Sequence, residues 1–232
     1  MQILVGTSGF SYAPWRGSFY PEKLPQGSML AYYAERLPAV EINNTFYHMP
    51  TADMLRGWAE QTPAGFRFAL KSPRRITHER RLADVGDSLT RLHEVAAALG
   101  DKLGPILFQL PPNQRKDLPR LTRFLDELPA GMRAALEFRH ASWFSSDVYE
   151  ALRARDAALC VAESEDLATP LEPTAGWGYL RLRRQDYGES ELVAWAERLR
   201  AQAGWQCAYV FFKHEEEGKG PVLAARLREL LS

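Results

Sequence analysis

Eight short apolar runs alternate with amphipathic stretches of helical length from one end of this 232-residue chain to the other. The strand-like runs cover 3–7, 39–43, 66–71, 105–109, 133–138, 157–162, 177–183 and 208–213, and helical periodicity follows most of them at 28–37, 51–61, 85–99, 118–128, 145–155, 190–202 and 221–231. Local signals support several of the helices: Thr51 precedes an acidic first turn, and Pro221 stands where a first helical position is expected. The 163–176 connection is too rich in Pro and Thr to predict a helix. Such alternation predicts a compact (β/α)8 barrel forming one α/β domain over 1–232, with a doubly wound open sheet as the alternative. The strand ends decide between them. Ser8, Asn43, Lys71, Gln109, Arg139, Arg183 and Lys213 each put a polar group at the end of a different strand. A barrel gathers all such ends around one mouth, whereas an open sheet concentrates its site at one switch point.

Two strands carry charge where a buried strand should be apolar. In Val40-Glu41-Ile42-Asn43, alternation puts Glu41 and Asn43 on one face; in Leu136-Glu137-Phe138-Arg139, it does the same for Glu137 and Arg139. Burying an unpaired carboxylate costs several kcal/mol, so these positions predict walls of a single polar site. Paired carboxylates across a barrel mouth suit proton transfer, or glycoside hydrolysis at a separation of about 5–5.5 Å for retention and about 6.5–9.5 Å for inversion. The competing structural reading is a buried ionic layer in which Lys71, Arg139 or Arg181 balances Glu41 and Glu137.

Composition excludes some classes of function. Lys plus Arg equals Asp plus Glu at 29 each, so no global charge excess draws the chain onto nucleic acid or membrane. The N-terminal residues lack the basic and apolar regions of a signal peptide, and no stretch is long and apolar enough to span a bilayer. Cys160 and Cys207 lie in or beside apolar runs and read as buried free thiols, which fits a reducing cytoplasm.

The chain resembles a known family at several places in the right order. The opening Gly6-Thr-Ser-Gly-Phe-Ser-Tyr12, Trp15-Arg-Gly17, Phe19-Tyr-Pro21 and Glu41-Ile-Asn-Asn-Thr-Phe-Tyr47 are similar to the YecE-like proteins, also classified as domain of unknown function 72. So are Ile76-Thr-His78, Leu107-Phe-Gln-Leu-Pro-Pro112, Leu136-Glu-Phe-Arg-His140 with Ser142-Trp143, and Tyr179-Leu-Arg181. The resemblance implies a TIM-like barrel and no assigned activity. Many members of the family have His-Gly after the Tyr-x-Arg of strand seven and end strand eight in Phe-Asn-Asn. This chain has Arg183-Arg184 and Lys213-His214 there, which adds positive charge at the strand ends.

Further residues extend the expected site. Tyr12 and Trp15, in the aromatic first loop, could stack on a sugar or base, or the loop could merely seal the barrel end. The Lys71–Arg81 stretch brings cations beside His78, a candidate acid/base, or forms a solvated basic loop. Lys213, His214 and the glycines beyond them precede the last helix at a corner where barrels often hold phosphate. His78, His140 and His214 could join Glu41 and Glu137 around a metal, but no metal-binding spacing is present and the nearby cations oppose one.

The sequence therefore predicts an enzyme without metal or cofactor, a hydrolase, lyase or isomerase of unassigned reaction, acting on a small anionic molecule such as a sugar acid or sugar phosphate. Glu41, Glu137 and His78 are the expected catalytic residues, and Ser8, Tyr12, Trp15, Asn43, Lys71, Gln109, Arg139, Arg181, Lys213 and His214 the expected binding residues. The rival is a nucleic-acid-binding or repair-endonuclease-like barrel that uses the aromatic loop and the basic loop after strand three. No membrane partner is expected.

Overall fold

The computed structural model describes residues 1–163 and 167–232. Eight parallel strands close into a barrel in sequence order: β1 (Gln2–Ser8), β2 (Ala39–Ile42), β3 (Arg67–Lys71), β4 (Leu103–Gln109), β5 (Ala134–Glu137), β6 (Ala158–Glu163), β7 (Trp177–Leu182) and β8 (Cys207–Phe212). The closure is firm, because β1 and β8 pair along nearly their whole length, from Gln2↔Cys207 to Thr7↔Phe212. The opposite seam is short: β5 and β6 pair only at Ala135↔Ala158 and Leu136↔Leu159.

Helices α1 (Met29–Ala34), α2 (Ala52–Glu60), α3 (Gly86–Ala96), α4 (Leu118–Asp126), α5 (Ser146–Arg153), α6 (Glu189–Arg200) and α7 (Lys219–Leu231) surround the barrel. Thr51 and Asp117 cap α2 and α4 by accepting from the backbone N–H of Met54 and Arg120. Helix α7 begins two residues before Pro221, which therefore sits inside the first turn and does not open it. In the connection from β6 to β7, residues 164–166 lie outside the described residues, and the described remainder holds no helix.

Strand alternation creates two apolar layers. Val5, Val40, Ile42, Phe68, Leu70, Phe108, Leu136, Leu180 and Val210 point outward and pack against the helices. The interior is lopsided. Ala39, Ala69, Ala135, Ala158 and Ala162 line one side, and Trp177, Tyr179, Tyr209 and Phe211 of β7 and β8 fill the space those alanines leave. Cys160 is buried in this interior, where burial pushes its thiol pKa well up and keeps it inert. Both cysteines are free, but Cys207 is half-buried rather than buried as the sequence suggested, because β8 begins at the open bottom rim.

The aromatic first loop is largely internal. Trp15 is fully buried, stacks near Tyr20 and meets Phe19 edge-on, and its indole N–H donates to the Glu215 carbonyl 3.1 Å away. It ties the first loop to the loop after β8, so its expected role as a ligand platform is not available. Beneath this cluster the Tyr33 hydroxyl accepts from the Thr7 N–H and donates to the Ala39 carbonyl, both at 2.9 Å, clamping β1 to β2.

That clamp leaves no room at Gly6. A Cβ there would lie 1.9 Å from the Ala39 carbonyl oxygen. Gly6→Ala is therefore expected to cost more than about 3 kcal/mol in urea unfolding, since the obstacle is backbone and cannot repack. A loss below about 1 kcal/mol would mean that the β1–β2 seam opens easily.

Candidate functional site

Five strands send polar side chains to the C-terminal end of the barrel interior, where they meet on one guanidinium. Arg181 of β7 is 2% exposed, and Glu41 of β2 and Glu137 of β5 are fully buried. Arg181 Nε and Nη2 donate to Glu41 at 2.9 Å each, while its Nη1 donates to Glu137 Oε2 at 2.6 Å. Glu41 also accepts from the Ser8 hydroxyl at 2.7 Å, the Tyr179 hydroxyl at 2.7 Å and the Asn43 amide at 3.1 Å. Glu137 also accepts from the Gln109 amide at 2.7 Å and Arg139 Nε at 2.9 Å. Each carboxylate thus has donors on both oxygens, as a buried charge requires.

Burial alone would raise both carboxyl pKa values, but other terms outweigh it. Arg181's charge and hydrogen bonds, with those from Ser8 and Tyr179, hold Glu41 below its ordinary 4.5. Arg181, Arg139 and Arg183 hold Glu137 well below the usual carboxylate range. A carboxyl whose pKa is lowered is a weak base and is poorly matched to proton transfer near neutrality. Of the two readings the sequence left open, this geometry fits the ionic layer, with Arg181 rather than Lys71 or Arg139 at its centre. Arg181 and Ser8, expected to touch substrate, are consumed in that layer.

The groups that reach the mouth stand above it. Thr45, in the turn after β2, donates from its hydroxyl to the Lys71 carbonyl at 2.6 Å, and so pins that turn to the end of β3. The pinned turn holds the Phe46 ring 4.2 Å from Lys71 Nζ, and the same ring meets His78 edge-on at 4.9 Å. Among the described residues Lys71 Nζ has no hydrogen bond and no ion pair. Burial, then the positive charge of Arg181, lowers its pKa from 10.5 to about 8. His78 is lowered by burial and by the charge of Lys71, and its Nδ1 lies 2.9 Å from the Thr77 hydroxyl. The basic loop itself forms a single π turn at Arg75–Glu79, anchored by buried Ile76 and Thr77, and Arg74 pairs with Glu79.

Across the mouth, Arg139 keeps both Nη groups clear of hydrogen bonds among the described residues. Arg183 lies 3.7 Å from Glu137, and Lys213 is exposed. Arg183 and Lys213 line a cleft of about 340 Å³ with Arg184, Gln185, His214, Glu215 and Glu216. His214 is 6% exposed, its Nε2 lies 2.6 Å from the Arg184 carbonyl, and it packs against Tyr187 and Phe212. It positions the cleft wall. Tyr12 lines a separate groove with Phe10, Asn43, Asn44 and Trp58, its hydroxyl donating to the Ser8 carbonyl at 2.7 Å. Among the described residues, no three His, Cys, Asp or Glu side chains gather where they could share a metal ion.

With this geometry in view, the comparisons place the chain among its relatives. The family described as "Protein of unknown function DUF72" matches residues 4–232. The chain belongs to the DUF72 family. Among members of known sequence, UPF0759 protein YecE of Escherichia coli K12 is 34% identical over 114 residues, 49% of this chain and 42% of that protein. UPF0759 protein YunF of Bacillus subtilis 168 is 29% identical over 156 residues, 64% of this chain and 54% of that protein. The chain thus spans about half the length of the curated relatives it matches. A DUF72 family protein from Thermotoga maritima MSB8, known from its crystal structure, superposes with a TM-score of 0.89 at 26% identity, covering 100% of this chain and 99% of that one. No helix among the described residues of this DUF72 chain is long and apolar enough to cross a membrane.

Sequence reasoning missed Tyr179, Thr45 and Phe46. Tyr179 was accessible to it, being in phase with Arg181 on β7. Thr45 and Phe46 act through a turn whose shape no periodicity reveals.

Arg181→Met leaves two buried carboxylates without their shared partner and is expected to cost about 3–5 kcal/mol in urea unfolding. Arg181→Lys should recover little, because a point charge cannot fork between both. Since both carboxyls are lowered on folding, their contribution is complete above pH 4.5 and is lost as pH falls through that value toward the folded ones.

Lys71 works in the opposite sense. Its lowered pKa means that the folded state binds fewer protons than the unfolded chain between pH 8 and 10.5, so its contribution to stability rises across that window. Lys71→Met should abolish this slope and stabilise the protein at pH 7 by on the order of 1–2 kcal/mol, less than the full shift because the amine keeps a route to water. Chemical unfolding of both proteins from pH 6 to 10 measures the difference, and equal slopes would refute it.

Proposed function

We propose that this DUF72 protein is a metal-independent enzyme acting on a small anionic substrate, such as a sugar acid or sugar phosphate, at the C-terminal mouth of its barrel. One observation carries the reading. Lys71, Arg139, Arg183 and Lys213 stand at strand ends above Glu41 and Glu137, and the two carboxylates, shared with Arg181 and with Arg139 and Arg183 on the Glu137 side, offset only part of that positive charge. Uncompensated cations between low-dielectric walls focus positive potential and draw in an anion. Lys71 and His78, whose pKa values are lowered toward or below neutrality, are the proton carriers, and Glu41 and Glu137 fix the field they work in. Arg139 grips the anion end-on through its Nη pair, because its Nε is committed to Glu137. The rival nucleic-acid reading loses one of its two expected stacking residues, since Trp15 is fully buried, and keeps Tyr12.

A thermal-shift panel of sulfate, inorganic phosphate, sugar phosphates, sugar acids, nucleotides and divalent metals tests this. Small anions should raise the melting temperature. Arg139→Lys should weaken the response about tenfold in apparent affinity, although it keeps the charge. Stabilisation by metals alone, or by nucleic acid with no response to small anions, would overturn the proposal.

A further inference from the structure

We infer that Lys71 is a nucleophile that forms an imine with an anionic aldehyde or ketone bound at the mouth. The inference rests on the anion-binding mouth proposed above and names the reactive feature of its substrate. Most lysines in folded proteins have either water or a carboxylate around the ammonium; Lys71 has neither in full. Its Nζ lies against the Phe46 ring, is without hydrogen bond or ion pair among the described residues, and emerges at the end of β3, where barrels place reacting groups. The ring favours the ammonium modestly, but burial and the cations opposite outweigh it. The charged and titratable groups that act on Lys71 come from several elements: Arg181 on β7, Glu41 on β2, Glu137 on β5 and Arg139 beyond it, with His78 in the following loop. Glu41 and Glu137 are tied to Arg181 and cannot swing over to pair with the amine. A desolvated lysine beside fixed cations is the arrangement that raises the neutral, nucleophilic fraction of an amine toward physiological pH.

The step balances without a co-reactant. The neutral amine attacks the carbonyl carbon and a C–N bond forms as the C=O π pair moves onto oxygen. The nitrogen sheds two protons, the oxygen takes up two, and the C–O bond breaks to release water. Neither carbon nor nitrogen changes its oxidation state overall. Arg139, Arg183 and Lys213 supply the counter-charge for the substrate's carboxylate or phosphate while its carbonyl faces Lys71.

The test uses a matched pair of two-carbon aldehydes, anionic glyoxylate and neutral glycolaldehyde, each with sodium cyanoborohydride to trap the imine. Peptide mapping by mass spectrometry then compares labelling at Lys71 with labelling at Lys23, an exposed lysine in the same chain. Glyoxylate should label Lys71 at least tenfold faster than Lys23, and this ratio should fall with glycolaldehyde. Excess inorganic phosphate should protect Lys71, and its labelling rate should rise with pH to a plateau above about 8. In Lys71→Arg the fast adduct should vanish while the thermal transition persists; should that variant fail to fold, the Lys71-to-Lys23 ratio in wild type decides alone. Labelling of Lys71 no faster than Lys23 overturns the imine. A phosphate-induced thermal shift in the same wild-type sample then leaves the anion-binding mouth standing, and its absence removes both.

Discussion

One guanidinium shared by two carboxylates governs this molecule. Arg181 would be intolerable in the barrel interior without Glu41 and Glu137, and either glutamate would be intolerable without it. The three residues come from β7, β2 and β5, so their contact exists only when the barrel is closed. Replacing such a cluster by apolar side chains is often neutral or stabilising in proteins, so stability alone is a poor reason for its presence. What it supplies is a field of fixed sign and fixed geometry beneath the mouth.

That field bears differently on the acids within it and the amine above it. A carboxylate gripped from both sides is spent as an acid or base, however suggestive its position in the sequence. The Lys71 amine beside the same cluster has its pKa lowered by burial first and then by the Arg181 charge, which cannot withdraw. The interior thus lowers the pKa of both kinds of group, the carboxyls through their partners and the amine mainly through burial. Tyr179 and Ser8 reinforce the arrangement by donating to Glu41 without adding charge.

Much of this was legible before any coordinates. Alternation placed the eight strands to within a residue or two at most ends and put Glu41, Glu137 and Arg181 on inward faces, because a two-residue period survives any barrel geometry. The missing helix after β6 was announced by its prolines. What could not be read was choice of partner. Whether Glu41 meets Lys71, Arg139 or Arg181 depends on barrel stagger and side-chain reach, neither of which leaves a mark on local sequence. Trp15 was left open for a related reason: whether an aromatic in this loop meets a ligand or seals the barrel end depends on the loop after β8, which closes over it. Likewise the basic stretch after β3 read as a loop, and the π turn that anchors it depends on burial of Ile76 and Thr77.

The clamp between Thr45 and the Lys71 carbonyl has a consequence for how such a protein can diversify. It fixes Lys71 and its aromatic neighbour to the end of β3, apart from the cleft formed by Arg183 and Lys213. Of those two residues, Arg183 still touches the cluster through Glu137, 3.7 Å away, whereas among the described residues Lys213 makes no side-chain bond to it. A substitution at Lys213 can therefore change the charge of the mouth while the hydrogen bonding beneath it is inherited intact. The rim at Lys213 can vary within a single closed barrel where the rim at Arg183 and Arg139 cannot.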